Sequence, residues 1–135
     1  MRELIEKYQL HQNVFIRGFA IDLFAEYSSS SLSLLTSKIE GFSLAVLEAQ
    51  GFSVPVISYD IRYGPGEMIE DGVNGFLVEP NNKEMLYDKM REFLKDELLQ
   101  KQFMIESEKN AARYNKEIII QKWQDLVSDL HAELK

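Results

Sequence analysis

A parallel α/β sheet followed by a run of helices is the fold the sequence predicts, and three observations predict it. Short apolar runs of strand length alternate with helical stretches between residues 13 and 79. Those runs are apolar at successive positions, as in strands covered on both faces by βαβ crossovers. From residue 82 onward the apolar residues recur at helical spacing instead.

Val14-Phe15-Ile16 is the first expected strand, ended by Gly18, and Asp22–Tyr27 the helix after it. Leu32–Thr36 is the second strand, followed by a helix over Ser43–Gln50. Val54–Tyr59 is the third, and Pro55 fits only at its start because proline gives no ladder donor. Gly64–Glu70 forms a short helical turn, and Asn74-Gly75 is a turn signal before the fourth strand, Phe76–Val78. Asn81 or Asn82 is the expected N-cap of the next helix, whose stripe is Leu86, Met90, Phe93 and Leu94. Ile119, Trp123, Leu126, Val127, Leu130 and Leu134 make a second stripe, with solvated charges between. Three or four strands are fewer than the five or so of a doubly wound sheet, so the pattern resembles the second half of a Rossmann-like domain.

The chain has 135 residues, 45% of them hydrophobic, which suits one domain with a real core. Its 15 basic and 22 acidic residues leave a net charge of −7, which argues against nucleic acid as partner, since a uniformly acidic surface repels a phosphate backbone. Absence of cysteine removes disulfides, thiolate metal sites and cysteine nucleophiles together. His11 and His131 stand at opposite ends of the chain, so no metal site is expected. Charges interrupt every apolar run well short of the ~18 residues of a membrane span. Residues 1–7 mix charges as no signal peptide does, and the expectation is a soluble, cytoplasmic protein. A flavodoxin-like or receiver domain is excluded by the lack of an acidic cluster after the first strand and of an N-terminal glycine loop.

The stretch Thr36–Ala49 carries the chemistry. It reads as a strand, a tight loop with Glu40-Gly41, and a helix capped by Ser43. That loop lies at the carboxyl end of a parallel strand, where such sheets bind ligands, and a helix N-terminus there favours phosphate. Gly41 lets the backbone approach a ligand closely. Glu48 interrupts the apolar run Leu44–Leu47. It either lies on the helix's one solvent-facing stripe or takes its missing donors from a ligand diol.

Seven residues separate Glu40 from Glu48, and the string Glu40-Gly41-Phe42-Ser43-Leu44…Leu47-Glu48-Ala49 resembles the E-x7-E signature of retaining, GT4-type glycosyltransferases of the GT-B fold. Gly51…Val54-Pro55-Val56-Ile57 and Glu67–Val78 are similar to the segments that follow it in that family, and Asn13–Phe19 to a strand before it. Tyr59-Asp60-Ile61-Arg62-Tyr63-Gly64-Pro65 resembles, more narrowly, poly(glycerol-phosphate) alpha-glucosyltransferases and relatives that glycosylate teichoic acids or adhesins.

The resemblance implies that residues 1–135 are part of a GT-B C-terminal, nucleotide-sugar-binding domain, with the N-terminal acceptor domain absent. It assigns Glu40 the catalytic role beside the transferred hexose. Backbone N–H groups of Gly41, Phe42, Ser43 and Leu44 would bind donor, and Glu48 the ribose hydroxyls. The donor would be a UDP-hexose and the acceptor a polyol-phosphate or protein, with no metal or other cofactor. The family's Arg and Lys diphosphate clamp has no counterpart here; Lys38 and Arg62 match neither and read as surface charges. The chain alone is therefore expected to be inactive. Ser43 stands where the family often has Gly and is expected to be an unstrained N-cap; Ser53 also replaces a common Gly, and a left-handed backbone at either would cost about 1 kcal/mol. An alternative is a non-catalytic, oligomerising module. Unpaired sheet edge and exposed apolar surface predict a homo-oligomer on either reading.

Overall fold

The computed structural model describes residues 1–133, so Leu134 of the second stripe lies outside the described residues. Strands β1 (Ser33–Leu35), β2 (Val56–Tyr59) and β3 (Gly75–Val78) form one parallel sheet in the order β1-β2-β3. Leu34 pairs with Ile57, and Ile57 with Phe76. Helices α1 (Arg2–Lys7) and α2 (Leu23–Ser28) precede the sheet. Helix α3 (Leu44–Gly51) joins β1 to β2, and the one-turn α4 (Pro65–Met68) joins β2 to β3. The chain then runs through α5 (Lys83–Lys95), α6 (Glu97–Ala112) and α7 (Lys116–Glu133). Among the described residues no helix is long and apolar enough to cross a membrane.

One expected strand is not formed. Val14-Phe15-Ile16 is irregular chain, with Phe15 67% exposed. A strand needs a neighbour to complete its ladder, and none of the three strands pairs with this segment. The other elements stand within a few residues of their expected places. Pro55 lies just before β2, where its carbonyl accepts from the Ser33 N–H at 2.9 Å. Asn82 is the cap of α5, its Oδ1 accepting from the Met85 N–H at 3.0 Å, while Asn81 takes a left-handed φ of 66°.

Alternation along β2 divides the core between the sheet's two faces. Val56 packs with Val46 and Ala49 of α3 and with Met68 of α4. Ile57 and Tyr59 pack with Phe76, Val78, Phe93 of α5 and Phe103 of α6. The Phe103 ring stands edge-on to Phe76 at 5.0 Å and stacks on Phe93 at 5.9 Å. Gly75 opens β3 because a Cβ there would run into the Val56 carbonyl. The left-handed residue of the preceding turn is Gly72, φ 76°, not Gly75.

A buried polar hub locks α3, α4 and α6 together. The Met68 carbonyl, at the end of α4, accepts from Gln50 Nε2 at 3.0 Å, Asn110 Nδ2 at 2.9 Å and Asn74 Nδ2 at 3.1 Å. Asn110 also donates to Gln50 Oε1 at 2.8 Å, and Ser107 Oγ donates to the Asn74 carbonyl at 3.0 Å. Gln50 and Ser107 are fully buried, so each bond replaces water that cannot reach them.

Candidate functional site

The loop Glu40–Ser43 leaves the carboxyl end of β1 and feeds α3. Ser43 is the N-cap, but not the unstrained cap expected. Its backbone is left-handed (φ 54°, ψ 55°) and its side chain makes no capping bond. The helix instead starts from the Ser43 carbonyl, which accepts from the Val46 N–H at 2.9 Å. Ser43 Oγ is buried without a hydrogen-bond partner among the described residues. Ser53, beyond the other end of α3, is left-handed too, with φ 57°. There the Ser53 N–H bonds to the Gln50 carbonyl and the Val54 N–H to the Ala49 carbonyl, both at 2.9 Å. This is the Schellman pattern, whose left-handed position glycine usually fills.

The backbone N–H groups of Gly41, Phe42, Ser43 and Leu44 find no acceptor among the described residues. They lie where the helix dipole is positive, an arrangement that suits an anion. Phe42 and Leu44 are exposed beside them, Leu44 at 62%. Glu40 is half-buried, and Glu48 is exposed one turn along α3 from Leu44. The run Leu44–Leu47 is not buried on most sides: Val46 is buried, Leu47 half-buried, and Leu44 and Ala45 are exposed. Glu48 therefore lies on the open stripe of α3, with Leu44 and Ala45.

Neighbouring elements brace the loop. Gly64 (φ 94°) fits closely against it: a Cβ there would stand 2.5 Å from Ser43 Oγ, 2.8 Å from the Gly41 carbonyl and 3.1 Å from Glu40 Cβ. The Tyr59–Pro65 stretch is thereby held against Glu40-Gly41 through Gly64. Tyr114, between α6 and α7, sets its ring edge-on to Phe42 at 5.7 Å, and its hydroxyl donates to the Glu67 carbonyl at 3.4 Å. On the α3 flank, Tyr27 Oη donates to the Ala45 carbonyl at 3.4 Å. Burial raises the Tyr27 phenol above its ordinary pKa, and the Glu48 carboxylate adds to the rise.

The family model for glycosyl transferases group 1 matches residues 1–117. The chain belongs to the group 1 glycosyltransferases. It is 32% identical over 123 residues to the poly(glycerol-phosphate) alpha-glucosyltransferase of Bacillus subtilis, covering 91% of this chain and 18% of that protein. It is 33% identical over 125 residues to the poly(ribitol-phosphate) alpha-N-acetylglucosaminyltransferase of Staphylococcus aureus, covering 92% and 25%. The crystal structure of the pneumococcal O-GlcNAc transferase GtfA in complex with UDP and GlcNAc superposes with a TM-score of 0.84 at 29% identity, over 95% of this chain and 26% of that one. The chain thus spans about a quarter or less of the length of these relatives.

As a group 1 glycosyltransferase domain, the three-stranded sheet with its helices has the Rossmann-like form of the GT-B C-terminal domain. The fold brings Glu40, Gly41, Phe42 and Ser43 into one loop, with Leu44 and Glu48 on the helix it feeds. Gly64, Tyr27 and Tyr114 escaped the sequence reading as site residues. The Gly64-Pro65-Gly66 string was a signal for Gly64; nothing in the sequence pointed to the two tyrosines.

Proposed function

We propose that this chain is the donor-binding part of a retaining hexosyltransferase and takes a UDP-hexose at the mouth of α3. The observation that carries the reading is the set of four N–H groups, from Gly41 to Leu44, without an acceptor among the described residues at a helix N-terminus. Glu40 and Glu48 frame them. In this reading Glu40 stabilises charge at the anomeric centre, the N–H groups hold sugar and diphosphate oxygens, and Glu48 accepts the ribose hydroxyls. No metal is required, because fixed dipoles stand where the leaving diphosphate gathers charge. The acceptor is a polyol-phosphate or a protein, in keeping with the names of the relatives. The site works in the cytoplasm. In this reading transfer needs an acceptor held in line with the donor, because positioning supplies much of the rate.

Isothermal titration of UDP and UDP-glucose into the chain tests this, with Glu48→Ala as control. The expected result is saturable binding that weakens by about 1–3 kcal/mol in the variant. No heat and no shift in melting temperature up to about millimolar UDP, where a real ligand stabilises by mass action, removes the donor reading.

A second reading, self-association without donor binding, is favoured by α7. Among its described residues none is buried, and Trp123 is 64% exposed beside exposed Leu126, Val127 and Leu130. Sedimentation of the chain and of Trp123→Ser decides it: a dimer lost in the variant supports this reading, and a monomer in both removes it.

A further inference from the structure

Beyond the mouth of α3, the loops that follow all three strands converge on one crevice of about 290 Å³. Lys38 comes from the loop after β1, Tyr59, Asp60 and Arg62 from the end of β2, and Asn81 from the loop after β3. This is the carboxyl edge of the sheet, the side on which open parallel sheets take ligands.

The crevice sets two cations, Lys38 and Arg62, against one carboxylate, Asp60, in a chain of net charge −7. Arg17, Lys89 and Lys109 are paired with Glu26, Glu92 and Glu106. Lys38 and Arg62 form no ion pair among the described residues, and the Arg62 guanidinium rests over the Tyr63 ring, 5.0 Å from its centroid. Two cations less the one carboxylate of Asp60 leave a charge of +1 on the lining. That matches one phosphodiester, which carries one negative charge, better than a phosphomonoester with nearly two. Guanidinium and ammonium suit such a group, the first through paired N–H donors and the second as a point charge. A larger cavity between α4 and α6, about 360 Å³, offers no equivalent: its Lys109 is paired with Glu106 and its Arg113 donates to Asn110 Oδ1.

We propose that Lys38 and Arg62 form an anion subsite for a phosphodiester of a polyol-phosphate acceptor. Lys38 lies two residues before Glu40, so a chain anchored there presents its neighbouring hydroxyls beside the loop that bears Glu40. Of the two acceptor classes, the crevice selects the phosphorylated one. This rests on the transferase reading above, but on different residues from the donor site.

The test is titration of a short glycerol-phosphate oligomer, with neutral glycerol as blank, into the full chain and the variants K38Q, R62Q, K38Q/R62Q and D60N. Circular dichroism melts verify that each variant is folded. The oligomer is expected to bind, about tenfold more weakly in each single cation variant, undetectably in the double variant, and more tightly in D60N. Added salt weakens binding to the unmodified chain. UDP, titrated into the same samples, should bind K38Q/R62Q as it binds the unmodified chain. Failure of UDP to bind anywhere would remove the donor reading and leave the oligomer result to stand. Oligomer binding that is absent, or equal in K38Q/R62Q, or unchanged in D60N, overturns the proposal. So does a double variant that loses UDP as much as oligomer, because the cations would then serve the donor's diphosphate.

Discussion

Replacing Gly64 by alanine puts the junction of the two motifs to a quantitative test. Two separate costs arise there. The first is conformational: φ 94° with ψ −83° lies outside even the left-handed helical region, and holding an L-residue there costs about 1–3 kcal/mol. The second is steric. The new methyl would stand 2.5 Å from Ser43 Oγ and 2.8 Å from the Gly41 carbonyl. The hydroxyl can rotate away, but the carbonyl belongs to the backbone of the loop, and overpacking of this kind costs about 1–3 kcal/mol. Together they make a loss of about 2–6 kcal/mol, a large part of the stability of a domain this size. Gly72→Ala is the internal control, because Gly72 also has positive φ (76°) but a Cβ there meets nothing within 4 Å. Urea denaturation followed by far-ultraviolet circular dichroism yields both values, with unchanged slopes showing that stability alone has moved. Gly64→Ala should cost at least about 1 kcal/mol more than Gly72→Ala, the least that such overpacking adds. Adding Ser43→Gly should return part of that difference by removing the hydroxyl. Equal losses at Gly64 and Gly72 would refute the close packing of the two loops.

Three further outcomes follow from the same structure. Ser53→Gly should stabilise the chain by up to about 1 kcal/mol, read as a higher urea midpoint, because glycine takes the left-handed Schellman position without strain; the gain is trimmed by loss of the exposed 3.3 Å bond to Glu108 Oε2. Asn110→Leu should lower stability by about 1–3 kcal/mol, measured the same way, since it leaves Gln50 Oε1 buried without its donor. The raised pKa of Tyr27 makes its contribution fully present below its unfolded value near 10.0 and lost as pH climbs through the higher folded value. Stability measured across that range should therefore fall, and Tyr27→Phe should remove part of the fall.

Where burial follows a simple period, the sequence was a good guide. Val56–Tyr59 is buried throughout, and α5 starts from an asparagine whose side chain bonds to the backbone it caps. The polar hub was illegible, because Gln50, Ser107 and Asn110 on helices look like solvated positions until the partner helices are known. Val14-Phe15-Ile16 failed for the opposite reason: its side chains suit a strand, but pairing depends on a neighbour that local sequence does not reveal. At the candidate site the expected strand–loop–helix order is present, with Glu40 in the loop and Glu48 on the helix it feeds. The sequence misjudged the state of Ser43, since serine is a preferred ordinary N-cap and positive φ is uncommon for any residue but glycine. The placement of Gly64 against that loop is a long-range fact, legible only as a glycine that some close approach must require.

The Met68 carbonyl has two lone pairs and three amide donors. No one of α3, α4 and α6 can move away without breaking a shared bond, so the three open as one cooperative unit. The side-chain amide protons of Gln50, Asn74 and Asn110 should then exchange with solvent at a common rate, slower than the backbone protons of the exposed α7. That shared rate would measure how often the scaffold behind Gly64 lets go, in a protein still otherwise folded.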